Sequence, residues 1–88
     1  MSSRYRELIR LGAELKPTMH VGKEGITEGL IGEIRKQIED RELIKVRLLP
    51  SSDIDRGLAA QELAERSRTK LVEVRGNTVL LCDKRLFQ

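Results

Sequence analysis

Aromatic residues are almost missing from this chain: one tyrosine, Tyr5, one phenylalanine, Phe87, and no tryptophan. Proteins that read single-stranded bases usually stack them on aromatic platforms. A nucleic-acid grip without such a platform has to rest on phosphates, sugars and shape. Cysteine is nearly absent too. The lone Cys82 excludes an internal disulfide and any four-cysteine zinc site. With His20 the only histidine, the three or four protein ligands that zinc takes are not at hand, so neither a metal nor another cofactor is expected. No apolar run approaches the ~20 residues of a membrane helix, and the opening MSSRYRELIR lacks the apolar core of a secretion signal. The expected address is the cytoplasm, with no membrane partner.

What the chain has is charge of both signs. Charged residues make up 35% and hydrophobic ones 39% of 88 residues, which is globular rather than disordered composition. That length suits one domain spanning residues 1–88. Seventeen Lys and Arg against fourteen Asp and Glu leave a net +3. Such an excess permits an anionic partner without demanding one.

The first segment, Ser3 to Leu15, repeats Tyr5, Leu8, Gly12 and Leu15 at helical spacing, with Leu11 beside the stripe. Arg6, Arg10 and Glu14 fall on another face, and Lys16-Pro17 stops the helix, because proline disfavours helix in the residue before it. Thr18 to Val21 is β-compatible. A second helix starts at the cap Thr27, carries Leu30, Ile34 and Ile38 with Ile31 alongside, and ends before Arg41. Leu43 to Leu49 alternates Ile44, Val46 and Leu48 with Lys45 and Arg47, as a half-buried strand does. Pro50-Ser51-Ser52-Asp53 reads as a turn capping a third helix, Ile54 to Ser67, buried through Leu58, Ala59, Leu63 and Ala64. Leu71 to Arg75 and Thr78 to Asp83 are strands joined by Gly76-Asn77, two residues suited to a hairpin turn. The predicted fold is α/β (α+β): a two-layer sandwich, ordered α-β-α-β-α-β-β, with a mixed four-stranded sheet.

Gly22-Lys23-Glu24-Gly25 is the candidate site. Glycines allow a sharp turn and leave no Cβ between an approaching phosphate and the amides. The loop leads into a helix start, where unpaired N–H groups favour an anion. Lys23 adds a full charge, while Glu24 repels phosphate at short range. The G-x-x-G spacing matches the loop with which KH domains clamp a nucleic-acid backbone. Alone it also describes an ordinary strand-to-helix turn.

Three blocks in order carry more information than the loop. Leu15-Lys16-Pro17, then Val21-Gly22-Lys23-Glu24-Gly25-Ile26-Thr27, then Glu42-Leu43-Ile44-Lys45-Val46 resemble the CRM domain family, in particular its stand-alone YhbY-like members. The resemblance covers essentially the whole chain, including the closing hairpin from Gly76 to Leu81. It implies a fold similar to the C-terminal domain of bacterial translation initiation factor three. It also implies RNA binding by the glycine loop and nearby basic residues, and, for bacterial members, association with precursors of the large ribosomal subunit. Plant relatives carry the domain in group II intron splicing factors. Where bacterial relatives often place an aromatic and a basic residue at the end of the last strand, this chain has Cys82-Asp83, and its basic tail is cut to Lys84 and Arg85.

Around the loop, Lys16, Lys45 and Arg47 are candidates to line a phosphate track, and Arg35 and Lys36 to extend it along the second helix. Each has a plainer reading as a solvated surface charge. Arg41 is explained by the helix dipole alone, and Arg4, Arg6 and Arg10 form a secondary candidate face. His20 lacks the partner acid or nucleophile that catalysis needs. Cys82 reads as a small buried apolar residue, and Asp53 and Asp55 as helix caps rather than metal ligands. No carboxylate pair, catalytic triad or phosphate-binding Walker loop is present, so an enzyme is not expected. The expected partner is RNA, ribosomal or pre-ribosomal, bound by a monomer. A small DNA-coating protein of chromatin type and a module docking on ribosomal proteins remain as alternatives.

Overall fold

A computed structural model describes residues 3–49 and 55–87. In chain order these form α1 (Ser3–Glu14), β1 (Met19–Val21), α2 (Glu28–Arg41), β2 (Leu43–Leu48), α3 (Arg56–Ser67), β3 (Lys70–Arg75), β4 (Thr78–Cys82) and a 3-10 turn, Lys84–Phe87. The strands lie in the order β1-β2-β4-β3. β1 pairs parallel to β2, and β4 runs antiparallel to both β2 and β3, so the sheet is mixed, as predicted.

The alternation in β2 fixes which face is which. Ile44, Val46 and Leu48 share a face with Met19, Val21, Val79 and Leu81, and there they meet Ile31, Ile34 and Ile38 of α2 and Ala59, Ala60, Leu63 and Ala64 of α3. These two layers hold the main core. Truncating a fully buried member such as Ile34 or Leu63 to alanine costs about 2–5 kcal/mol, more than an exposed ion pair contributes.

The other face carries Lys45, Arg47 and Leu80, and α1 lies across it. Leu8 is buried there, and Gly12 sits so close that a Cβ on it would fall 2.4 Å from Leu80 Cδ2. Here glycine is required for close approach. Leu11 and Leu15 belong to the outer side, 42% and 37% exposed. The helix stops at Glu14, one residue before the predicted end.

Other expectations need correction: β1 starts at Met19 rather than Thr18, and β2 ends at Leu48 rather than Leu49. Leu58 is 66% exposed rather than buried. The buried stripe of α3 is Ala59, Ala60, Leu63, Ala64 and Ser67, small residues around the one large side chain Leu63 that let the helix sit close to its neighbours. Arg41 is the last residue of α2 rather than the first beyond it. β3 starts at Lys70 and β4 stops at Cys82, each one residue earlier than predicted. The cap of α3 is Asp55, whose carboxylate accepts from Leu58 N at 3.0 Å. The turn 50–53, including Asp53, and the predicted helical start Ile54 lie outside the described residues.

The chain end holds an element with no sequence signal. Asp83 accepts from the Arg85 amide at 2.9 Å and, through its other oxygen, from the Arg85 guanidinium at 2.6 and 3.0 Å, which closes the 3-10 turn. The Arg85 guanidinium, together with that amide, holds the Asp83 carboxyl below its ordinary range. The turn docks Phe87 on Tyr5, ring centroids 4.7 Å apart, with Lys70 Nζ over both rings. Cys82 is fully buried, as expected, and burial, with the neighbouring Asp83 charge, pushes its thiol up to about 11.

Candidate nucleic-acid interface

β1 is an edge strand only three residues long, and the Gly22–Gly25 loop leaves its end. Leu49 N donates to Val21 O at 3.0 Å, which ties the start of the loop to the end of β2. Gly25 N then donates to Gly22 O at 3.0 Å, so the four residues form one tight turn with Lys23 and Glu24 at its tip. Gly25 adopts φ +73°, the left-handed region that favours glycine. Gly22 does not: its φ is ordinary, and a Cβ there would meet only Leu49 Cδ1 at 3.6 Å. Nothing in the free protein requires glycine at position 22.

The chain then enters α2. Thr27 caps it, accepting from Leu30 N at 3.1 Å. The helix start is braced from α3: Arg66 donates to the Ile26 carbonyl at 3.2 Å, to Glu28 at 2.6 Å and to Glu62 at 3.0 Å. One guanidinium thereby pins the exit of the loop and neutralises the carboxylate nearest the helix start. Of these contacts only the Glu62–Arg66 pair, four residues apart on one helix, is legible in sequence. The link to Ile26 spans forty residues and gives no local signal.

The turn borders an open hollow of about 360 Å³ lined by His20, Gly22, Lys23, Glu24, Gly25, Thr27 and Leu30. Lys23, Glu24 and His20 are exposed, and none of their side chains makes a hydrogen bond or ion pair among the described residues. Arg47 stands directly across from His20 in the parallel register and is likewise exposed. Lys16 lies exposed in the connection before β1. Lys16, Lys23 and Arg47 have no carboxylate within 4.0 Å among the described residues, whereas Arg66, Arg75 and Arg85 are all paired. These three unpaired cations lie along or beside the β1 edge.

The remaining candidates lie elsewhere. Lys45 is half-buried beside α1, in a hollow shared with Gly12, Ala13, Glu73, Arg75, Thr78 and Leu80. Arg35 lines a separate hollow with Arg68 and Arg85, where Glu39 and Asp83 offset the positive charge. Lys36 is exposed on α2 and lines neither hollow. Among the described residues no group of three or more His, Cys, Asp or Glu side chains could hold a metal ion, and no helix is long and apolar enough to cross a membrane.

Comparisons with known proteins agree with this architecture. The chain is 35% identical over 82 residues to the probable RNA-binding protein YqeI of Bacillus subtilis, a match that spans 92% of this chain and 85% of that protein. It is 38% identical over 74 residues to the probable RNA-binding protein PA4753 of Pseudomonas aeruginosa, spanning 84% and 71%. The solution structure of the Staphylococcus aureus protein SAV1595, titled a candidate RNA-binding protein, superposes with a TM-score of 0.78 at 35% identity, covering 91% of this chain and 83% of that one. The model of the CRS1/YhbY (CRM) domain matches residues 2–82, nearly the whole chain, and the chain belongs to the CRM domain family.

Proposed function

We propose that the chain binds RNA by its backbone at the Gly22–Gly25 turn, with Lys23 at the tip and Arg47 and Lys16 continuing a basic strip along the β1 edge. The proposed role is assembly of the large ribosomal subunit or maturation of its RNA, in the cytoplasm and without enzymatic chemistry. The observation that carries the binding mode is the unpaired Lys23 on a turn whose tip makes no internal hydrogen bonds among the described residues. Phosphate can take those donors without displacing any contact of the fold. Relatives named as RNA-binding proteins favour RNA as the polyanion.

The strip is short. From Lys16 to Lys23 the backbone reaches at most about 25 Å, so it tracks a few nucleotides rather than a long helix. Selectivity then comes from RNA shape and 2′-hydroxyl contacts at its margins. Charge reversal of Lys16, Lys23 and Arg47 together should abolish binding of structured ribosomal RNA at moderate salt, measured by filter binding or fluorescence anisotropy. Glu24→Gln, which removes the one carboxylate at the tip, should tighten it. Unchanged affinity in the triple reversal rejects the assigned surface. Crosslinking in cells followed by sequencing of the bound RNA tests the ribosomal assignment separately.

A further inference from the structure

We propose that the hollow beside the Gly22–Gly25 turn seats one unpaired RNA base, with the His20 imidazole as its stacking surface. The inference rests on the backbone-binding reading above and adds a base contact to it.

The two aromatic rings of the chain are already committed elsewhere. Tyr5 and Phe87 face each other, and Lys70 lies over both. At the turn the remaining π-system is His20. Its side chain projects from the middle of β1, exposed, with no hydrogen bond or ion pair among the described residues. It forms one wall of the 360 Å³ hollow, and half-buried Leu30 supplies an apolar wall from α2. Gly22 and Gly25 contribute bare backbone. Stacking on histidine beside an apolar wall is a common way for proteins to hold a splayed-out base.

The polar groups suit a nucleotide as occupant. Thr27 Oγ1 accepts from Leu30 N, which leaves its own hydrogen free to donate to a base edge. Lys23 lines the hollow, and Arg47 stands next to His20 on β2. A base in the hollow would thus have cations nearby for its flanking phosphates. Duplex RNA cannot enter this way, so the seat selects single-stranded or bulged RNA.

The test uses two probes: a twelve-residue uridine RNA and the same backbone made abasic throughout. With the uridine probe, His20→Ala should weaken binding about tenfold, in the range of one lost stacking contact, while His20→Phe keeps the affinity. With the abasic probe, His20→Ala should change nothing. Lys23→Glu should weaken both probes alike. In the unmodified protein, the His20 ring proton resonances should move on titration with the uridine probe and stay still with the abasic one, a readout independent of how well any variant folds. If His20→Ala weakens both probes equally or neither, the base seat is wrong even where the Lys23 result upholds backbone binding. If Lys23→Glu leaves both probes unaffected, the backbone reading itself falls.

Discussion

Gly22 and Gly25 look equivalent in the sequence and are not equivalent in the fold. Gly25 holds φ +73° with open space around it, so a side chain there meets no atom but strains the backbone. Gly25→Ala should cost about 1–2 kcal/mol, which lowers the melting midpoint by roughly 4–8 °C per kcal/mol in a domain of this size. Gly22 has an ordinary φ and room for a Cβ. Gly22→Ala should leave the midpoint unchanged or raise it slightly, since alanine restricts the unfolded chain. RNA affinity should nevertheless fall, because the added methyl stands where a phosphate would approach the amides. Thermal denaturation and RNA titration on both variants separate the two roles. A Gly22→Ala protein that keeps full affinity would mean the RNA does not approach the turn at that residue.

At the scale of the element, the turn depends on α3 as much as on its own glycines. Arg66 ties the Ile26 carbonyl and the Glu28 carboxylate to Glu62, yet it faces the loop exit rather than the basic strip. Arg66→Ala should weaken RNA binding by loosening the turn and unmasking Glu28. It should leave the slope of log affinity against log salt unchanged, because no phosphate contact is lost. Lys23→Ala should weaken binding and flatten that slope by about one. Salt titrations of the two variants check this; a flattened slope for Arg66→Ala would make Arg66 a direct phosphate contact.

The same scale shows how far sequence alone could reach. Strand alternation in β2 and the Ile34 and Ile38 spacing of α2 were legible because each pattern is local and its period is set by backbone geometry. Leu58 departs from expectation because hydrophobicity does not fix position: the face of α3 that meets the core is Leu63 set among alanines, and Leu58 lies outside it. The 3-10 turn was invisible because it depends on Asp83 folding back on Arg85 and on Phe87 finding Tyr5, a residue at the other end of the chain. Within the candidate site the glycine turn and Lys23 could be read directly. The Arg66 brace and the contribution of Leu30 to the hollow depend on contacts and exposure that helical spacing does not report.

At the scale of the whole molecule, the helices leave an edge of the sheet, rather than a face, open to the proposed RNA contact. Many RNA-binding sheets stack bases on an open strand surface. Here α2 and α3 cover one face and α1 lies on the other, while the edge strand β1, with the turn at its end, stays accessible beside the exposed Lys16, Lys23 and Arg47. Net charge is only +3, and several arginines are already paired. Long-range attraction is therefore weak, and on the proposed footprint affinity should come from Lys16, Lys23 and Arg47. Three phosphate contacts on a single strand correspond to a slope of log affinity against log salt of about −2. Measured between 50 and 200 mM salt, chosen as the range over which such slopes are usually read, a value near that supports a compact footprint at the turn. A slope steeper than about −5 would require a second basic surface, and a flat one would show that phosphate contacts do not drive binding. Duplex DNA added as competitor at the same salt should displace the RNA poorly, because it offers phosphates but no unpaired base and no 2′-hydroxyl; efficient displacement would favour a DNA-coating role over the RNA-binding one.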